Sequence, residues 1–137
     1  MNISRCLKLI WVSPNTLIGL LIGGVGLLFG SKYQVRRGCI EFHSGLVAWL
    51  LRRGPLGSGI LGMTIGHTIL GQTSAGLDVS RDHEHVHVAQ YERWGPFFLP
   101  AYFGCSAYMW LKGKDPYRDN PFEVEAYAID DLQSDKD

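Results

Sequence analysis

The string His83-Glu84-His85-Val86-His87 holds the residues best suited to chemistry in this chain. It reads H-E-x-x-H. On a helix, at ~100° per residue, His87 lies roughly 40° from His83, and Glu84 falls about 60° beyond His87. Two imidazoles on one face can share a zinc ion. A carboxylate on the adjoining flank can serve as general base toward a zinc-activated water. His85 points to the opposite side. Gln90, Tyr91 and Trp94 return to the ligand face. Gln90 and Tyr91 are therefore candidates for supporting a ligand, contacting a substrate or, for Tyr91, stabilising an oxyanion. Three of the five histidines lie within these five positions, which favours a metal centre over a surface helix that happens to carry histidines.

A catalytic zinc site takes three protein ligands and keeps one position open. The third ligand must come from elsewhere, and Glu123 and Glu125 are the candidates. They lie roughly 160° apart on a helical wheel, so only one can face the metal. The apolar face made by Phe122, Ala126, Ile129 and Leu132 lies closer to Glu125. Glu123 could instead complete a cap behind Asn120. On these residues alone the choice stays open.

The positioning elements follow from local signals. Asp78 and Ser80 are candidate N-caps for the histidine helix, and Gly95-Pro96 is its stop. Asn120-Pro121 starts the last helix, with Asn as cap and Pro at the first position. Gly62 to Gln72 alternates as one strand, with Met63, Ile65, His67 and Ile69 on one face and Thr64, Gly66, Thr68 and Leu70 on the other. Tyr33 to His43 also reads as strand, and Ser44-Gly45 as a turn. Leu46 to Leu51 is a further strand or a short helix. Arg52 to Gly59 is a Gly-rich loop. His43 and His67 read as structural rather than ligating.

A length of 137 residues implies one domain. The formal net charge is zero, which gives no reason to expect a nucleic-acid partner. Cys6, Cys39 and Cys105 form neither a Cys-x-x-Cys motif nor a disulfide framework. Seventeen glycines, several in apolar stretches, point to a membrane. Leu17 to Gly30 has no charge, and Ser13-Pro14 marks a helix start. This segment is expected to be a retained anchor over residues 1–31. It could be a short transmembrane helix or a helix lying in one leaflet, with a cleaved signal peptide or a buried core helix as the other readings. Lys32, Arg36, Arg37, Arg52 and Arg53 follow it and only Arg5 and Lys8 precede it. That bias leans toward a cytoplasmic remainder on an inner membrane. Pro96 to Leu111 is a second uncharged, aromatic stretch, expected at about 96–111 as an interfacial or core helix.

H-E-x-x-H followed by a Glu-bearing helix resembles the gluzincin metallopeptidases. Phe122-Glu123-Val124-Glu125-Ala126-Tyr127-Ala128 is similar to a segment of the membrane-bound CaaX-protease and heat-shock-protease family. The strand, H-E-x-x-H-x-x-Q ending at Gln90, and E-x-E-A also resemble the zincin core domain linked to extracellular contractile injection systems. The wider pattern resembles a family of small bacterial proteins with the same anchor, which brings no activity with it. The resemblance implies Zn2+ bound by His83, His87 and Glu123, with Glu125 second choice. Tyr127 stands where the CaaX-type segment has an Asp that orients a ligand histidine. The chain is also much shorter than those peptidases.

The expected fold is α+β. It is a minimal zincin-like core over residues 32–137, a short mixed or antiparallel sheet with the histidine and glutamate helices, beside the apolar helices. The expected function is membrane-associated hydrolysis of peptide bonds with Glu84 as general base, acting on a peptide or protein at a lipid surface. The alternatives are a non-catalytic zinc-stapled interaction module and a metal-free membrane subunit.

Overall fold

The computed structural model describes residues 2–54 and 59–136. In chain order the elements are α1 (Ile3–Leu28), β1 (Lys32–Arg36), β2 (Cys39–His43), α2 (Gly45–Arg53), β3 (Gly62–Ile65), β4 (Thr68–Gly71), α3 (Ser74–Trp94), a 3-10 turn (Gly95–Phe97), α4 (Phe98–Leu111) and α5 (Pro121–Ser134). The fold is α+β, with a mixed four-stranded sheet of order β1-β2-β4-β3. β1 and β2 are antiparallel, β2 and β4 parallel, and β3 and β4 antiparallel.

The sheet is the middle of three layers. Phe42 and Leu70 pack with Val47 and Leu51 of α2 on one face, where α1 also lies. Cys39 and Ile69 pack with Leu77 and Val88 of α3 on the other. The segment expected as one strand over 62–72 is a hairpin. Gly66 takes φ +67°, a left-handed conformation that lets the chain reverse. Thr64 therefore pairs with Ile69 and Met63 with Leu70, so the side chains beyond the turn fall on the opposite faces to those the alternation implies.

Helix starts differ from expectation where tertiary contacts outweigh local signals. α3 begins at Ser74, capped by the Thr73 side chain, which accepts from the Gly76 amide, so Asp78 and Ser80 lie inside it. Leu46 to Leu51 is helical. Residues 55–58 of the expected Gly-rich loop lie outside the described residues. α1 begins at Ile3, not Pro14, and runs through the proline. Proline removes the N–H that would bond the Ile10 carbonyl. The Ser13 hydroxyl donates to that carbonyl instead, at 2.8 Å. Pro100 falls in the first turn of α4, where no intrahelical N–H is lost.

α1 is long and apolar enough to cross a membrane, a property that signal sequences and core helices share. One of its faces is packed against the domain. Val12, Asn15, Gly19, Gly23 and Gly26 are buried along it. The Asn15 amide donates to the Gly95 carbonyl at 2.9 Å, and Gly23 lies under the Phe42 ring. The other face leaves Leu17, Ile18, Leu21, Val25 and Leu28 exposed.

Candidate metal centre

α3 turns His83 and His87 inward one helical turn apart, and α5 brings Glu123 against them. All three are buried. His83 Nε2 lies 3.3 Å and His87 Nε2 3.2 Å from the same Glu123 oxygen, Oε2. The candidate ligand atoms all fall within 4.8 Å of one another, so the group could hold a metal ion. Glu125 is not part of it. That carboxylate is exposed and pairs with Arg93 at 2.6 Å. The geometry decides between the two glutamates because α5 starts at Pro121 and packs Phe122 into the core, which carries Glu123 inward with it.

The far nitrogen of each imidazole is held. His83 Nδ1 meets Asp130 Oδ2 at 2.9 Å. His87 Nδ1 meets Gln90 Oε1 at 2.8 Å. Gln90 cannot present its amide nitrogen there, because that nitrogen donates to the Phe122 carbonyl at 2.9 Å. The hydrogen in each Nδ1 contact therefore belongs to the histidine, and each neutral ring is left with a bare lone pair on Nε2. Two such lone pairs and a carboxylate oxygen face one another. A cation between them, or protons, must make that arrangement favourable.

The electrostatics of the three side chains reflect how closely they approach one another. Burial works against charge on His83, but hydrogen bonds to Glu123 and Asp130 and the charge of Glu84 push it up to about 9. His87 is raised in the same way, against its burial, chiefly through Glu123. Burial would raise Glu123, yet the hydrogen bonds from both histidines hold it at about 2.

Glu84 sits beside the cluster and is buried. Its Oε2 accepts from the Thr64 hydroxyl at 2.7 Å. Burial raises its pKa above the ordinary carboxylate value. Gly62 makes room for it, since a Cβ there would come within 3.1 Å of Glu84 Oε1. A cavity of about 240 Å³ opens over the group, lined also by Ile18 of α1, Met63 and Ile65 of β3, and Leu99 and Phe103 of α4.

The remaining candidates have other places. Gln90 holds His87, as its return to the ligand face implies. Tyr91 is buried and donates to the Thr64 carbonyl at 3.1 Å, so its hydroxyl is spent on positioning β3. Tyr127 packs edge-on against the His83 ring at 4.6 Å between centroids, and its hydroxyl meets that of Tyr117 at 3.2 Å. His67 contacts Glu92 at 3.1 Å, and His43 contacts the Ser44 hydroxyl at 2.8 Å; neither joins the centre. Sequence reasoning passed over Thr64, Asp130, Gly62 and Tyr102, whose hydroxyl donates to Glu123 Oε1 at 2.6 Å. Asp130 alone carried a local signal, lying one helical turn beyond Tyr127 on the same flank.

Compared with protein-family models, curated proteins and solved structures, the chain matches none. What its fold and site define is an α+β protein with an apolar N-terminal helix and a buried His-His-Glu group able to hold a metal ion.

Proposed function

We propose that this protein is a membrane-associated, zinc-dependent peptidase. The observation that carries the reading is the locked pair of imidazoles: Gln90 and Asp130 occupy both Nδ1 atoms and aim both Nε2 lone pairs at Glu123. Two imidazoles and one carboxylate are the donor set of catalytic zinc sites, and their outer hydrogen bonds are of the kind that fixes zinc-binding histidines. His83, His87 and Glu123 would hold the ion. When bound, zinc supplies a Lewis acid that acidifies water and polarises a carbonyl.

The chain's own groups supply the rest. Glu84, raised by burial, is suited to take a proton from the attacking water and return it to the leaving amine as the C–N bond breaks. The Thr64 hydroxyl orients that carboxylate. β3 is one of the two outer strands of the sheet and lines the cavity, so an extended peptide can pair with Gly62–Ile65 and lie over the centre. Tyr117, also on the cavity wall, pairs its hydroxyl with that of Tyr127 at 3.2 Å and would exchange that bond for one to a substrate oxygen. The exposed apolar residues of α1 and those of α4, Phe103, Trp110 and Leu111, support attachment to lipid. Because the buried stripe of α1 follows the domain from Val12 to Gly26, we place the helix along the membrane surface rather than through it.

The test is metal analysis together with peptide cleavage. Purified protein should carry one zinc, and His87→Ala should lose it. Glu84→Gln should keep zinc and lose turnover. Zinc retained in full by His87→Ala would refute the ligand assignment. Equal behaviour of wild type and Glu84→Gln on a peptide library would leave a zinc-stapled module without catalysis.

A further inference from the structure

The two oxygens of Glu123 have different neighbours. Oε2 faces the Nε2 atoms of His83 and His87 at 3.3 and 3.2 Å. Oε1 accepts the Tyr102 hydroxyl at 2.6 Å. That bond is short, as expected where a hydroxyl donates to an ionised carboxylate. Tyr102 belongs to α4 and lines the cavity over the centre together with Glu84 and Glu123. Three contacts hold it there. Its ring lies nearly parallel to that of Phe122, at 6.2 Å between centroids and 22° between planes. It meets the Phe98 ring at 5.8 Å. Its backbone carbonyl accepts from the Asn120 amide at 3.0 Å. Asn120 is inaccessible to solvent. The same amide nitrogen donates to Ser106 Oγ at 2.9 Å, and the side-chain oxygen caps α5 by accepting the Phe122 N–H at 3.0 Å. One side chain thereby sets α4 against the first turn of α5, where Glu123 sits.

We infer that Tyr102 is a positioning residue that holds Glu123 to one metal-binding oxygen. This role rests on the zinc reading of the centre and goes beyond its choice of ligands. A carboxylate can give a metal ion one oxygen or two. With two, His83, His87 and Glu123 would fill four positions, the closed set of a structural zinc site. With one, they fill three, which leaves the open position that catalytic zinc sites keep. To offer both oxygens, Glu123 would have to rotate and bend or give up its bond to Tyr102. The phenol also draws electron density from the carboxylate, so less of it reaches the ion. Asp130 and Gln90 fix the two imidazoles in the same manner, through Nδ1. Each of the three ligand side chains therefore has one atom held by a neighbour and one presented to the ion.

The probe is cobalt(II), which replaces zinc in such sites and reports its coordination number through visible absorption. The full chain is stripped of metal with a chelator and titrated with cobalt as wild type, Tyr102→Phe and Tyr91→Phe. Tyr91→Phe removes another buried hydroxyl, one spent on the Thr64 carbonyl and not on a ligand. It is the control for loss of a buried hydrogen bond alone. Wild type and Tyr91→Phe should show the intense bands of four-coordinate cobalt. Tyr102→Phe keeps the ring and should bind cobalt with bands weakened severalfold per bound ion, the signature of a fifth ligand atom once Glu123 uses both oxygens. A merely structural role for Tyr102 would lower stability or occupancy and leave the absorption per bound ion unchanged, and that result overturns the inference. Weak bands in wild type also overturn it, while leaving His83, His87 and Glu123 as the ligands. Failure of wild type to bind cobalt would overturn the zinc reading and this role with it. Should Tyr102→Phe fail to fold, the wild-type spectrum decides: intense bands support one-oxygen ligation and weak bands refute it.

Discussion

Asp130, rather than Tyr127, supplies the acceptor for His83 Nδ1. At Tyr127 an aromatic ring packs on His83 and has no acceptor for Nδ1, and the carboxylate one turn later accepts that hydrogen at 2.9 Å. If Asp130 orients His83 for metal, Asp130→Asn should lower zinc affinity by roughly 10- to 100-fold. Tyr127→Phe keeps the ring and should cost much less. Competition with a chromophoric chelator measures both, and wild-type affinity in Asp130→Asn would remove the carboxylate from the site. Glu84 presents the complementary case, a residue positioned by an absence. A methyl group at Gly62 would press on Glu84 Oε1 from 3.1 Å. Gly62→Ala should therefore retain zinc while peptide cleavage falls by about 100-fold, since small displacements of a reacting group cost that much. Loss of zinc and turnover together would mean that Gly62 supports the whole cluster rather than the base. At this scale the motif was legible and its supports were not. H-E-x-x-H has a local period, so His83, Glu84, His87 and Gln90 could be placed by counting. Thr64 and Tyr102 reach the site only through the sheet and α4, and no spacing in the chain encodes those contacts.

At the scale of elements, α1 combines the apolar length that composition shows with a packed face that composition does not. Its glycines read as membrane character, but three of them form the surface on which the sheet and α2 rest. A Cβ at Gly23 would come within 2.2 Å of the Phe42 ring, whereas Gly24, one position round the helix, has nothing within 4 Å. Gly23→Ala should destabilise the fold by about 1–3 kcal/mol through overpacking. Gly24→Ala should leave stability unchanged or raise it by about 0.5–1 kcal/mol, because alanine loses less backbone entropy in a helix. Urea unfolding of the pair tests whether α1 is docked, and equal midpoints would show that it is not. The same limit explains the hairpin. The alternation from Gly62 to Gln72 is real, but a reversal at Gly66 inverts which face each later residue occupies. The pattern marks strand and leaves pairing undetermined. Pro14 misled in the opposite sense, since a start signal there is cancelled by Ser13, which satisfies the carbonyl that the proline abandons.

For the whole molecule, the layers are tied together by a buried ion pair as well as by apolar packing. Glu41 is inaccessible to solvent. It receives Arg81 Nε and Nη2 at 2.8 and 2.9 Å and the Gln34 amide at 2.7 Å. This joins the β1–β2 hairpin to the helix that carries the candidate zinc ligands. Burial alone would raise the Glu41 pKa, but hydrogen bonds from Arg81 and Gln34 outweigh it and hold the carboxylate below its ordinary value of 4.5. The sign of the pH dependence follows. A group depressed in the folded state binds fewer protons there than in the unfolded chain, so its contribution is complete above 4.5 and is lost as pH falls through the folded value. Glu41→Gln preserves shape and removes charge, leaving Arg81 with only the exposed Asp78 at 2.8 Å. At neutral pH it should cost about 3 kcal/mol, the scale for breaking a buried pair. Below 4.5 the gap to wild type should narrow, and it should close once Glu41 is protonated in the folded protein. Denaturant unfolding of both proteins across that acid range measures it. A gap that stays constant with pH would assign the loss to packing around residue 41 rather than to its charge.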